Sequence, residues 1–206
     1  MKYKVLTISR EFGSGGARIA STIAGWLNWK LLDQEIIEAI ARTAKVDNKI
    51  VSHYDERAQS WLQRLKEETI RGFDMLSEPP LGDENIFDTY AMTELTRRII
   101  EGAYSLGNTV IVGRGGQCIL DGKPDVFQVF VYAPFQDRVR RLRARMPTPI
   151  NVEHQLRMID EERAKYIHQR FGSNWRDTHL YNLMLSSDED EDKTARIILY
   201  AMSGAE

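Results

Sequence analysis

Cysteine is almost missing: the 206 residues hold one, Cys118, which cannot form an internal disulfide or a multi-cysteine zinc site and fits a reducing compartment. Long apolar runs are missing too. The opening stretch, MKYKVLTISREFGSGG, reaches only about four apolar residues in succession, short of a signal-peptide core or a membrane span. Nor does one sign of charge dominate: 28 Lys and Arg against 30 Asp and Glu leave a net charge of -2, without the broad positive field of non-specific nucleic-acid binders. A cytoplasmic location with no membrane partner is expected, nucleic acid is disfavoured, and composition leaves the oligomeric state open. What is present is ordinary: 42% hydrophobic and 28% charged residues are the proportions of a globular chain, and the length suits one domain, residues 1–206.

Proline is sparse, with six residues, so regular elements have room and the prolines mark their breaks. Residues 4–8 are a short β-branched apolar run that meets glycine, as a buried parallel strand entering a turn does. Residues 17–29 carry Ile19, Ala20, Ile23, Ala24 and Leu27 at helical spacing. Residues 30–32 read as a second strand, and Asp33 is placed to cap a helix from Gln34 onward. From 47 to 72 the chain is charged and helical in pattern; Pro79-Pro80 and Gly82 make 73–85 a loop. Helical periodicity returns at 86–106 and stops at Gly107. Residues 109–112 and 126–132 read as the third and fourth strands, and Pro134 opens a basic helix that the prolines of 146–149 interrupt. A long polar helix is expected over 152–171, a fifth strand over 181–185, an acidic turn around 188–192 and a last helix to Met202. Short buried strands alternating with helices imply a parallel sheet covered on both faces.

In such sheets ligands bind beyond the carboxyl ends of the strands. The turn after the first strand, Ser9 to Arg18, contains Gly13, Ser14, Gly15, Gly16 and Ala17, and its glycines let backbone amides converge on an anion at a helix N-terminus. The other reading is a tight turn with no ligand. Arg10 and Arg18 flank it, either as forks for phosphate oxygens or as members of surface ion pairs, Glu11 being one partner within reach. Arg114 follows the third strand, where a cation would orient a monophosphate or pair with a structural carboxylate. Asp33 can cap its helix, face the crevice, or do both. Arg138, Arg141 and Arg145 fall at i, i+3 and i+7 on one helix face, able to reach a substrate or to lie solvated. The histidines show no metal-ligand spacing, and no protein metal site is expected.

Ile8 to Gly16, Asp33, Val110 to Gly115, Phe130 to Pro134, Arg138 with Arg141, Asp160 to Arg163, and Tyr181 to Leu183, taken in order, resemble the cytidylate kinase-like branch of the P-loop nucleoside monophosphate kinases. The resemblance implies an α/β, three-layer P-loop kinase fold with a five-stranded parallel sheet in the order 2-3-1-4-5. It also implies a helical acceptor-binding insert over 47–106 and a basic lid over 138–165. By resemblance the nucleotide's phosphates meet Ser9, Gly13, Ser14, Gly15, Gly16 and Ala17; Arg138 and Arg141 are lid cations; and Asp33, Arg114, Asp160 and Arg163 contact the acceptor. ATP and Mg2+ are the implied cosubstrate and ion, and CMP or dCMP the implied acceptor.

The loop departs from the GxxxxGK[ST] pattern, whose lysine and hydroxyl serve the phosphates and magnesium. With Gly15 set on the glycine before the lysine, Arg10 replaces the first glycine, Gly16 the lysine and Ala17 the hydroxyl residue. The Gly113-Arg114-Gly115 element lacks the aspartate of authentic cytidylate kinases. Arg10 and Arg18 are the candidates for the missing catalytic charge. The expected activity is ATP-dependent phosphoryl transfer to a nucleoside monophosphate or related small acceptor; the alternative is a nucleotide-binding sensor on the same fold.

Overall fold

A computed structural model describes residues 2–33, 37, 84–145, 151–187 and 190–204. Most of the expected insert, 47–83, and the breaks at 146–149 and 188–189 lie outside the described residues. The strands are β1 (Val5–Arg10), β2 (Lys30–Leu32), β3 (Thr109–Val112), β4 (Val126–Tyr132) and β5 (Leu183–Ser186). They form one sheet in the order β2-β3-β1-β4-β5, parallel at every pairing. The helices between them are α1 (Gly16–Leu27), α2 (Glu84–Leu106), α3 (Gly116–Ile119), α4 (Phe135–Arg145), α5 (Val152–Phe171) and α6 (Glu191–Ser203).

Alternation along the strands gives the sheet two buried faces. Leu6, Ile8, Val110, Val112, Val129 and Val131 pack against Ile19 and Ile23 of α1 and Ile198 and Met202 of α6. On the other face Val5, Ile111 and Val126 meet Ile99, Ile100 and Ala103 of α2 and Leu120 beyond α3. A third cluster sets Phe130 edge-on to Trp175, with ring centroids 5.3 Å apart, and adds Tyr181 and Ile167. Val139 and Leu142 of α4 pack on Val152 and Leu156 of α5. Gly107 ends α2 in the left-handed region at φ 68°, donating to the Ala103 carbonyl at 3.0 Å, as a C-terminal glycine cap does.

The fifth strand starts two residues later than its apolar run suggests. A short 3-10 turn, Thr178–Leu180, capped by Asp177, takes up the approach, and the Tyr181 hydroxyl donates to the Trp175 carbonyl at 2.8 Å. Tyr181 thereby serves the third cluster rather than the ladder. No helix among the described residues is long and apolar enough to cross a membrane.

Candidate active site

The β1–α1 loop is held by side chains from distant parts of the chain. Its two left-handed glycines, Gly13 at φ 78° and Gly15 at φ 80°, turn the backbone so that α1 begins with no side-chain cap, leaving first-turn amides for a ligand. The Asp160 carboxylate accepts from the Phe12 amide at 2.7 Å and from Arg138 Nη1 at 2.6 Å. Arg138 donates to the Phe12 carbonyl at 3.1 Å and lies 3.4 Å from Glu11. Arg141 Nη1 donates to the Ser14 carbonyl at 3.2 Å, and Arg141 also holds Ser187, whose hydroxyl bonds the same Ser14 carbonyl. Arg145, exposed, reaches Glu191 at 3.5 Å. The α4 stripe thus does face one way, and it is engaged in fastening the loop and the start of α6.

A carboxylate already lies at the head of α1. Glu191 packs so closely on Gly15 that a side chain there would collide with it, and Arg18 pairs with it at 3.1 Å. The partner of Arg18 is therefore Glu191 rather than Glu11, which bonds Arg176 at 2.7 Å instead. Arg18, Arg141 and Arg145 line a cavity of about 260 Å³ together with Asp190, Glu191 and Asp192, so there is room beside the Glu191 carboxylate, whose charge opposes a polyphosphate there. Glu191→Gln keeps the shape and removes the charge. It is expected to tighten MgATP binding about five- to tenfold, an effect on the order of 1 kcal/mol for a partly exposed charge; unchanged affinity by calorimetry would mean that Glu191 does not face the nucleotide.

The second feature is a cavity of about 310 Å³ over the carboxyl ends of β1 and β3, walled on its far side by α5. Three guanidinium groups face it: Arg10 from β1, Arg114 from the turn after β3, and Arg163 from α5. Arg114 sits at φ 51° between Gly113 at 75° and Gly115 at 76°. For a residue with a side chain this left-handed geometry costs roughly 1–2 kcal/mol, the kind of strain that gathers at binding sites. Arg163 Nη1 donates to the Arg10 carbonyl at 2.8 Å. Burial, then the neighbouring Arg163, pull Arg10 down to about 9, with Asp33 acting in the opposite direction and Arg114 reinforcing the fall. Arg163 is lowered as well, chiefly by burial.

Between about 9 and the ordinary arginine value the folded state binds fewer protons than the unfolded one, so the penalty at Arg10 is full below 9 and relaxes as pH rises through 9. An anion in the cavity favours the charged form. Once phosphate is dianionic, above about pH 7, its affinity is expected to be level to about pH 8 and to fall as pH passes 9 in the wild type, and to lose that upper inflection in Arg10→Ala, as read by titration at each pH.

The model of the cytidylate kinase-like family matches residues 5–189. The chain belongs to that family. An uncharacterized protein from Eubacterium ventriosum is similar over 100% of both chains, at 21% identity and a TM-score of 0.69. The protein TT1252 from Thermus thermophilus matches over 99% of each chain, at 17% identity and a TM-score of 0.52. Shikimate kinase from Bacteroides thetaiotaomicron is similar at 17% identity and a TM-score of 0.49, covering 97% of this chain and 94% of its own. No curated protein matches the sequence.

Against the family pattern, the expected site residues divide into two groups. Arg10, Arg114 and Arg163 share the cavity with Ser9, while Asp33 acts on Arg10 electrostatically. Asp160 does not line that cavity. It faces a separate one of about 670 Å³ with Phe135, Arg138 and Arg176, and it holds the loop backbone. Gly13, Ser14, Gly15, Gly16, Ala17 and Arg18 form the loop and the first turn of α1, with Arg141 against them. The Ser14 hydroxyl is committed to the Glu11 carbonyl at 2.9 Å, and Ala17 has none. Among the described residues no three His, Cys, Asp or Glu side chains converge on a metal position.

Sequence reasoning missed Gln117, Glu162 and Tyr166 in the cavity wall and Glu191 at the loop. Gln117 is 1% exposed and its Nε2 makes no hydrogen bond of normal geometry, a donor available to a ligand. Glu162 lies within the Asp160 to Arg163 motif and Glu191 within the acidic run, but neither pattern shows which way a side chain faces; a lone glutamine in a four-residue helix leaves no spacing to read.

Proposed function

We propose that the protein is a phosphotransferase that moves the terminal phosphoryl group of ATP onto a small anionic acceptor, with CMP or dCMP as the first candidates because of the family it belongs to. The observation that supports this reading is the convergence of Arg10, Arg114 and Arg163 on one cavity beside the β1–α1 loop. Burial and the neighbouring Arg163 and Arg114 lower the proton affinity of Arg10, an environment that a phosphate-like dianion would relieve. At about 310 Å³ the cavity stands at the small end of the range for ligand sites, which suits one monophosphate. The bond from the terminal phosphorus to the bridging oxygen breaks, a bond to an acceptor phosphate oxygen forms, and ADP leaves. A dianionic acceptor oxygen carries no proton to remove, so fixed cations and positioning supply the catalysis. Magnesium comes with the nucleotide's phosphates, keeping most of its waters. The insert over 47–106 and the basic segment 138–165 are the parts proposed to cover the ligands.

The test is ADP formation from MgATP with a panel of nucleoside monophosphates and other small phosphates. Acceptor-dependent ADP at least tenfold over the acceptor-free rate is expected. A second reading, a nucleotide sensor without turnover, draws on Glu191 at the head of α1; it predicts nucleotide-dependent thermal stabilisation with no ADP above background.

A further inference from the structure

Position 16 raises a question that the turn does not answer. Gly16 is the first residue of α1, and its φ is not among the positive ones, so nothing in its backbone requires glycine. Glycine is a poor helix residue, and an alanine would ordinarily be preferred. The reason lies in Arg10: a Cβ at position 16 would stand 2.6 Å from Arg10 Cβ and 2.9 Å from Arg10 Cγ, distances that atoms do not adopt. The Arg10 stem fills the space into which a side chain at 16 would project. Farther on, the guanidinium passes so close to Gly113 that a side chain there would collide with it, and it ends beside Arg114 and Arg163 in the cavity wall.

Resting on the phosphotransferase reading above, we propose that Arg10 and Gly16 are an exchanged pair: the cation that the loop pattern places at 16 is supplied from 10, and 16 has lost its side chain so that Arg10 can pass. Arg10 then takes the terminal phosphoryl group of the nucleotide, at the boundary between the β1–α1 loop and the acceptor cavity. The conventional pattern has glycine at the first position and lysine at the second; this chain holds arginine and glycine there. The exchange explains in one step three observations that are otherwise unrelated: the absent lysine, a helix-opening glycine without a conformational need, and a half-buried arginine set beside Arg114 and Arg163. Its lowered proton affinity is consistent with a cation that awaits an anion.

The exchange makes the two positions interdependent, so it is tested by a cycle with two readouts. In the wild type Gly16→Ala is expected to lower the melting temperature, because the new methyl meets the Arg10 stem; in an Arg10→Gly background the same change is expected to raise it. MgATP affinity, by calorimetry, is expected to fall at least tenfold in Arg10→Gly, to fall at least as far in Gly16→Lys, and to return to within about threefold of wild type in the double variant Arg10→Gly/Gly16→Lys. A double variant no better than the singles, or a Gly16→Ala effect that is the same in both backgrounds, would overturn the exchange. Arg10→Gly with wild-type MgATP affinity and a lost response to CMP would overturn the phosphoryl assignment and move Arg10 to the acceptor. None of these readouts needs turnover, so absence of ADP formation alone would remove the enzyme reading and leave the pair standing. A wild type that MgATP does not bind would remove both.

Discussion

Asp160→Ala is expected to destabilise the protein by about 3–5 kcal/mol, the cost of leaving one member of a buried ion pair without its partner. The side chain is 8% exposed, and Arg138, its partner, is 6% exposed. One carboxylate oxygen holds the Phe12 amide and the other holds Arg138 Nη1, so the truncation strands a guanidinium and a loop N–H together. Arg138 keeps Glu11 at 3.4 Å and the Phe12 carbonyl at 3.1 Å, which is why the loss should stay within this range. Asp160→Asn retains an acceptor and should cost roughly half as much. Urea unfolding measures both; a loss below 1 kcal/mol for the alanine variant would show that the loop does not depend on this anchor. Because Phe12 adjoins Gly13, MgATP binding should weaken in parallel with stability.

Arg114→Ala is expected to lower kcat/KM for the acceptor about 100-fold, the loss of one bidentate charge-assisted contact, while MgATP affinity changes less than threefold. The asymmetry follows from position: Arg114 belongs to the turn after β3 and faces the cavity, whereas the loop that would receive the nucleotide begins at the end of β1. Lysine at 114 should recover part of the rate as a point charge without the fork. Equal losses for acceptor and nucleotide would contradict the assignment, and so would an unchanged KM for the acceptor with a lowered melting temperature, the signature of a purely structural arginine.

Local patterns carried the fold further than they carried the site. Thr109–Val112, Val126–Tyr132 and Val152–Phe171 are where apolar periodicity and flanking glycine or proline place them, because each signal is contained within its own segment. The helix Gly116–Ile119 is too short to show a period, and it lies under glycines that read as turn. The stripe of Arg138, Arg141 and Arg145 was legible as one face of a helix. Its partners were not: Arg141 meets a carbonyl 127 residues away in the chain, and no spacing rule reaches that far. Asp160 and Arg163, one turn apart on α5, read as a pair with one role, yet the helix presents Asp160 to the β1–α1 loop and Arg163 to the cavity. The direction of Arg10 depends on the meeting of two glycine turns that follow neighbouring strands but lie far apart in the chain. Its trace in the sequence is slight, a glycine at the start of a helix where lysine belongs.

The most direct test of this account is a crystal structure with CMP at saturating concentration. The expected result is the phosphate of CMP held by Arg114 and Arg163, with Arg10 at the edge of the cavity nearest the β1–α1 loop. CMP bound instead in the cavity beside Phe135 and Arg176, or a cavity over β1 and β3 still without phosphate at saturation, would contradict it.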